Sequence, residues 1–170
     1  MTKNIRILVI SFALVLVGGF FTAALAQAQP GQKETAVLIA KIIMGFSLSL
    51  GLAGSAVGLS ISFSALLGGG QENFFKNIAV ALMPSTQGIY SIVVLFANME
   101  GLTSDPYTAA GKSAIFGFTM FFSAWYQGVV CAAGIRSILE EKNTLANAMV
   151  SGAMPETYAV FALVMTFIMK

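Results

Sequence analysis

The sequence predicts an all-α membrane protein: a duplicated two-helix hairpin giving a four-transmembrane-helix bundle, with a signal-like apolar helix at the amino terminus. Three observations predict it. Of the 170 residues, 57% are apolar and 9% charged, against about 25% charged in an ordinary soluble domain, so too few charges exist to coat a water-facing surface. The charges are spaced so that long apolar runs separate them. A short proline motif also recurs late in the chain, which marks a duplication.

The charge gaps set the spans. They run from Arg6 to Lys33, Lys41 to Glu72, Lys76 to Glu100, Lys112 to Arg136 and Lys142 to Lys170, the last interrupted by Glu156 alone. A spanning helix needs roughly 20 mainly apolar residues, and each gap meets that length. The first run differs in kind. Lys3 and Arg6 precede the apolar stretch Ile7 to Leu25, which ends in the small-residue stretch Ala24-Leu25-Ala26 and then Gln27 to Gly31. That order of basic, apolar and small-polar regions is a secretory signal pattern. Residues 1–28 are therefore expected to be a signal peptide or an extra amino-terminal helix, with the mature amino terminus outside the cytoplasm.

Four spans follow, at about 36–66, 77–99, 109–138 and 145–169. Residues 29–102 form the first hairpin and residues 103–170 the second. With the amino terminus outside, both hairpin loops face the cytoplasm. They hold Lys76, Arg136 and Lys142, whereas the connection between hairpins holds Glu100, Asp105 and Lys112, a weak basic excess inside. Gly68-Gly69-Gly70 supplies the first reversal, since glycine accepts positive φ without a Cβ clash.

The duplication is read from Leu82-Met83-Pro84-Ser85-Thr86 against Ala153-Met154-Pro155-Glu156-Thr157, displaced by 71 residues, with a weaker echo of Gly45-Phe46-Ser47 in Gly117-Phe118-Thr119. The carboxylate is present in only one copy: Glu156 corresponds to Ser85. Glu156 lies midway between Lys142 and Lys170, so it is held near the middle of the hydrocarbon layer. A charge there costs on the order of 2.5–3.5 kcal/mol on insertion scales. No Lys or Arg occupies the interior of the four spans, which leaves a bound proton or a metal ion to neutralise it. The plainer alternative is a protonated glutamic acid that only joins helices.

Oxygen donors stand at similar depth. Gln87 is 11 residues beyond Lys76, Gln127 is 9 before Arg136 and Glu156 is 14 beyond Lys142, depths of roughly 14 to 21 Å at helical rise. Pro84 removes a backbone N–H, which is expected to leave an upstream carbonyl free. Hard cations prefer such all-oxygen surroundings; a proton does not require them. The chain has no His and a single cysteine, Cys131, so imidazole chemistry, an intrachain disulfide and a paired-thiolate zinc site are excluded. Nine basic and seven acidic side chains nearly cancel, and no basic face exists for nucleic acid.

Three segments carry a family resemblance: Met83-Pro84-Ser85-Thr86-Gln87-Gly88-Ile89-Tyr90, Gln127 through Ile135, and Met154-Pro155-Glu156-Thr157-Tyr158-Ala159. Over about residues 36–169 the chain resembles the duplicated four-helix proteolipid, or K subunit, of the rotor ring of V-type and related archaeal-type ATPases, most of all its sodium-pumping members. The resemblance implies that Na+ is held by Glu156, Thr86, Gln87, Gln127 and the backbone carbonyl of Met83, with Tyr90 hydrogen-bonding the carboxylate. A rotor carrying H+ alone is the alternative, and a stand-alone channel, transporter or structural protein the third reading. The resemblance further implies a non-catalytic, multi-pass component of the cell membrane. Many copies form a homo-oligomeric ring in the lipid bilayer, with the first and third spans lining the inside. Its partners are a stator subunit of the a/I type bearing a basic residue and the central-stalk subunits. Small residues suit that packing: Gly51, Gly54, Ser55 and Gly58 on the first span, and Gly117, Gly128 and Gly134 on the third. The sequence departs from the family pattern at Met83, where leucine is common, at Ser85, often glycine, and at Pro155. Trp125 and Tyr126 are bulky beside Gln127.

Overall fold

The computed structural model describes residues 33–169, so the expectation for residues 1–28 lies outside the described residues. Their elements are α1 (Lys33–Gly68), α2 (Gly70–Leu82), a 3-10 turn (Met83–Ser85), α3 (Thr86–Asn98), α4 (Gly101–Ser104), α5 (Pro106–Leu139) and α6 (Leu145–Ile168). By internal contacts the chain divides at Ile39/Ala40. Lys33–Ile39 forms the first turns of α1, and the packed bundle begins at Ala40. Among the described residues, four segments are long and apolar enough to cross a membrane: Lys33–Gly68, Gly70–Asn98, Pro106–Leu139 and Leu145–Ile168.

The first three spans are longer than the sequence reading predicts, and the fourth falls within a residue of it. The second begins at Gly70 instead of about 77, because Glu72 and Lys76 sit on a continuing helix as an exposed i,i+4 pair at 3.5 Å. The charges mark where the helix leaves the apolar layer, not where it stops. At 34 residues α5 is about 51 Å long, well beyond the roughly 30 Å hydrocarbon core. The reversal between α1 and α2 falls on the three glycines, and Gly70 adopts φ +76°, a left-handed conformation that a side chain would resist. Asp105 caps α5, its carboxylate accepting from the Thr108 N–H at 3.1 Å, with Pro106 at the first helical position. Those hydrogen bonds from Thr108 hold its carboxyl below the ordinary aspartate range. Thr144 caps α6 through the Asn147 N–H.

Helix α5 is the hub of the bundle, meeting α2, the 3-10 turn, α3, α4 and most extensively α6. Its buried stripe runs through Ser113, Gly117, Met120, Ala124, Gln127, Cys131 and Ile135, one residue per helical turn. Against it α1 presents Ser47, Gly54 and Gly58. A Cβ on Gly54 would meet the Phe121 backbone, one on Gly117 the Ser47 backbone, and one on Gly128 the Gly58 backbone. In lipid, where no hydrophobic force drives helices together, such backbone contact supplies the dispersion energy that holds them. Of the glycines singled out from sequence, Gly134 instead faces Ala148 of α6, and Gly51 faces Ser91 of α3. Cys131 is a free, buried thiol, packed with Ala132, Ile135, Val80 and Ala148. Helix α6 buries least. Its outer face carries exposed Val150, Met154, Tyr158, Phe161, Met165 and Ile168, an apolar stripe suited to lipid.

Candidate ion-binding site

Pro84 shapes the first wall of the site. It has no N–H, and the chain responds by tightening into the 3-10 turn, with Met83 N–H bonding Val80 O and Thr86 N–H bonding Met83 O. The expectation of a free upstream carbonyl is therefore corrected: each carbonyl around the proline is re-bonded. Ala81 O accepts from Ser62 Oγ at 2.7 Å, Leu82 O from Ser85 Oγ at 2.7 Å, and Met83 O from Thr86 Oγ1 at 3.2 Å. Backbone polar groups at membrane depth demand such partners. Met83 O keeps its place beside Thr86, one face of the turn with Gln87 and, a turn on, Tyr90.

The carboxylate comes from the opposite wall. Glu156 is the twelfth residue of the 24-residue α6, half-buried, with its two oxygens held by different helices. Tyr90 Oη donates to Oε1 at 3.0 Å and Gln127 Nε2 donates to Oε2 at 3.2 Å. Gln127 is fully buried and also donates to Gly152 O at 3.0 Å. Its Oε1 accepts from Gln87 Nε2 at 2.6 Å. Thr86 Oγ1 lies 3.2 Å from Gln87 Oε1. All six residues named from sequence are thus joined in one hydrogen-bonded network drawn from the second, third and fourth spans.

One member was not named from sequence. Ser123, one turn before Gln127 on the buried side of α5, accepts from Gln87 Nε2 at 3.2 Å and donates to Pro155 O at 2.7 Å. Its i−4 spacing from Gln127 was the available signal. The bulky neighbours stay aside: Trp125 stacks edge-on against Phe121 at 5.7 Å, and Tyr126 is exposed. Among the described residues no group of three or more His, Cys, Asp or Glu is placed to hold a metal. Any cation here would be held by one carboxylate and neutral oxygens, a donor set that suits hard ions.

Four spanning helices around a lone mid-span carboxylate, buttressed by amides and a phenol, define a membrane protein built to handle a small charge within the bilayer. Comparison with known proteins narrows this class. The family model for the C subunit of ATP synthase matches residues 110–169. The chain is 31% identical over 157 residues to the V-type sodium ATPase subunit K of Enterococcus hirae, covering 89% of this chain and 92% of that protein. It is 31% identical over 129 residues to the A-type ATP synthase subunit K of Methanocaldococcus jannaschii, covering 71% of this chain and 59% of that one. The chain belongs to the subunit K family, the rotor-ring proteolipids of V- and A-type rotary ATPases. Members are multi-pass, ion-translocating membrane proteins and not the catalytic part of the machine.

Proposed function

We propose that this protein carries Na+ through the membrane, one ion per chain, on Glu156. The observation that carries the reading is the convergence of Glu156, Gln127, Gln87, Thr86 and Met83 O in one bonded cluster at mid-span. Glu156 supplies the charge that cancels the ion's. The amide oxygens of Gln87 and Gln127, the Thr86 hydroxyl and the Met83 carbonyl replace its water. Each amide or backbone oxygen has two lone pairs, so Gln127 Oε1 accepts from Gln87 and still has one to offer, and Met83 O, bonded by the Thr86 N–H, has its second free when the Thr86 hydroxyl gives its single proton to Gln87 Oε1. Tyr90 holds the remaining carboxylate oxygen in register.

The energetics of one carboxylate then give the cycle. With Na+ bound, Glu156 is neutral enough to pass along the lipid-facing arc of the ring. Beside a basic residue of an a/I-type stator subunit the ion is exchanged into an aqueous path, since the cation of the stator replaces the charge of the ion. Central-stalk subunits link this rotation to ATP hydrolysis or synthesis. Each charge moved works against about 2.3 kcal/mol per 100 mV. One carboxylate per four helices, instead of one per two, halves the ions carried per hairpin and suits pumping against a steep gradient. The division into residues 29–102 and 103–170, with the mature amino terminus outside, belongs to this same reading.

Sodium protection of Glu156 against a carboxyl-directed carbodiimide tests it. Millimolar Na+ slows labelling of the purified ring under the proposal. Labelling indifferent to Na+ that follows protonation of the carboxyl, faster at low pH and slower at high pH, would assign H+ as cargo. That second reading has its own support in Tyr90, whose hydroxyl lies 3.0 Å from Glu156 Oε1 and, being able to accept as well as donate, can take the hydrogen bond of the neutral acid.

A further inference from the structure

We propose that Ser123 is a positioning residue that sets which end of the Gln87 amide faces the cation. This inference rests on the sodium reading above. An amide can point either its oxygen or its nitrogen toward a neighbour, and only the oxygen binds a cation. What fixes the choice at Gln87 is a chain of one-way hydrogen bonds. Pro155 O is an acceptor only. Ser123 therefore directs its single hydroxyl proton to it, at 2.7 Å, and its oxygen becomes an acceptor toward everything else. It faces Gln87 at 3.2 Å and so takes an N–H, never the amide oxygen. Gln127 Oε1 takes the second Gln87 hydrogen at 2.6 Å.

Both hydrogens of Gln87 Nε2 are thereby held on the side of α5, and Oε1 is turned toward Thr86 Oγ1 and the ligand cluster. The polarity of Gln127 is fixed in the same way, by Gly152 O. Two carbonyls of α6, one four residues and one a single residue before Glu156, orient the amides of two other helices. Ser123 relays the second of these. It is buried within the bundle. Ser123→Ala leaves a Gln87 hydrogen unpaired in the bundle and Nε2 held by one bond only, to Gln127 Oε1.

The test is the Na+ concentration that half-protects Glu156 from carbodiimide in purified rings. Ser123→Ala should raise it about tenfold, and Ser123→Thr, which keeps the hydroxyl, should hold it within about threefold. In a Gln87→Ala background, Ser123→Ala should add nothing, because the serine acts through that amide. If Ser123→Ala does not assemble, Ser123→Cys, with its weak acceptor, takes its place with the same expected shift. Wild-type protection with no shift in the variant overturns this assignment alone. A shift of equal size in the Gln87→Ala background also overturns it, since the effect would then be general packing. Wild-type rings without sodium protection overturn the sodium reading and this assignment with it.

Discussion

The two hairpins carry the same proline motif and do opposite things with it. At Met83-Pro84-Ser85 the helix tightens into a 3-10 turn, whereas at Met154-Pro155-Glu156 the helix runs on uninterrupted. In both, the following threonine bonds the methionine carbonyl, Thr86 to Met83 O at 3.2 Å and Thr157 to Met154 O at 2.7 Å. The next residue parts company: Gln87 is fully buried and Tyr158 is exposed. Ser85 bonds only its own helix, while Glu156 reaches Tyr90 and Gln127. On the partner helices, Ser123 and Gln127 of α5 stand where the 72-residue echo puts Gly51 and Ser55 of α1. Duplication has thus divided labour. In the proposed site the first hairpin supplies backbone, hydroxyl and amide oxygen, the second supplies the charge and the Gln127 amide, and one site results from two hairpins.

The largest effect should come from the charge. Glu156→Gln is expected to abolish ion transport and carbodiimide labelling together. Moving the carboxylate, as Glu156→Ser with Ser85→Glu, should restore neither, because Gly51 and Ser55 offer no amide to receive it. Transport recovered in that exchange would show the hairpins to be equivalent, contrary to the division drawn above.

Next in size is the contact between α1 and α5. Gly58→Leu or Gly128→Leu places a side chain against backbone, and overpacking of this kind costs about 1–3 kcal/mol or more. The expected readout is loss of assembled ring in detergent, whereas Gly45→Ala, where a Cβ meets nothing within 4 Å, should assemble as wild type.

The two prolines sharpen the comparison further. Pro84→Ala lets the helix relax toward α geometry and shifts Thr86 and Gln87, so the half-protecting Na+ concentration should rise about tenfold, worth about 1.4 kcal/mol. Pro155→Ala sits in a helix already continuous and should move it less. Equal effects would remove any special role for the 3-10 turn. The smallest change is expected outside the membrane. Asp105→Ala removes the α5 cap, and hydrogen exchange at the Thr108 amide should quicken. Because Asp105 is held below its ordinary range, the wild-type cap persists on mild acidification and is lost only as pH falls through that lowered value.

Much of this was legible in the sequence, for physical reasons. Sixteen charges in 170 residues leave so few places for water that the spans are nearly forced. Their ends were not, because Glu72 and Lys76 ride on a helix that continues past the apolar layer. The lone carboxylate declared itself by its cost in lipid, and depth counting put Gln87 and Gln127 near it. The response to Pro84 was misjudged: removing an N–H predicts a free carbonyl only while the helix stays α, and tightening by one residue re-bonds Val80 O. Ser123 has only its i−4 spacing from Gln127 to mark it in the sequence. A serine in a helix is ordinary, and only its distances to Gln87 and Pro155 show that it connects two hairpins.

The central claim is one cation site per four helices, centred on Glu156. Equilibrium binding of radioactive sodium to the purified ring, counted per chain, tests it most directly. The account predicts saturation at one ion per chain, lost in Glu156→Gln and intact in Ser85→Ala. Two ions per chain, or saturable binding that survives Glu156→Gln, would contradict it.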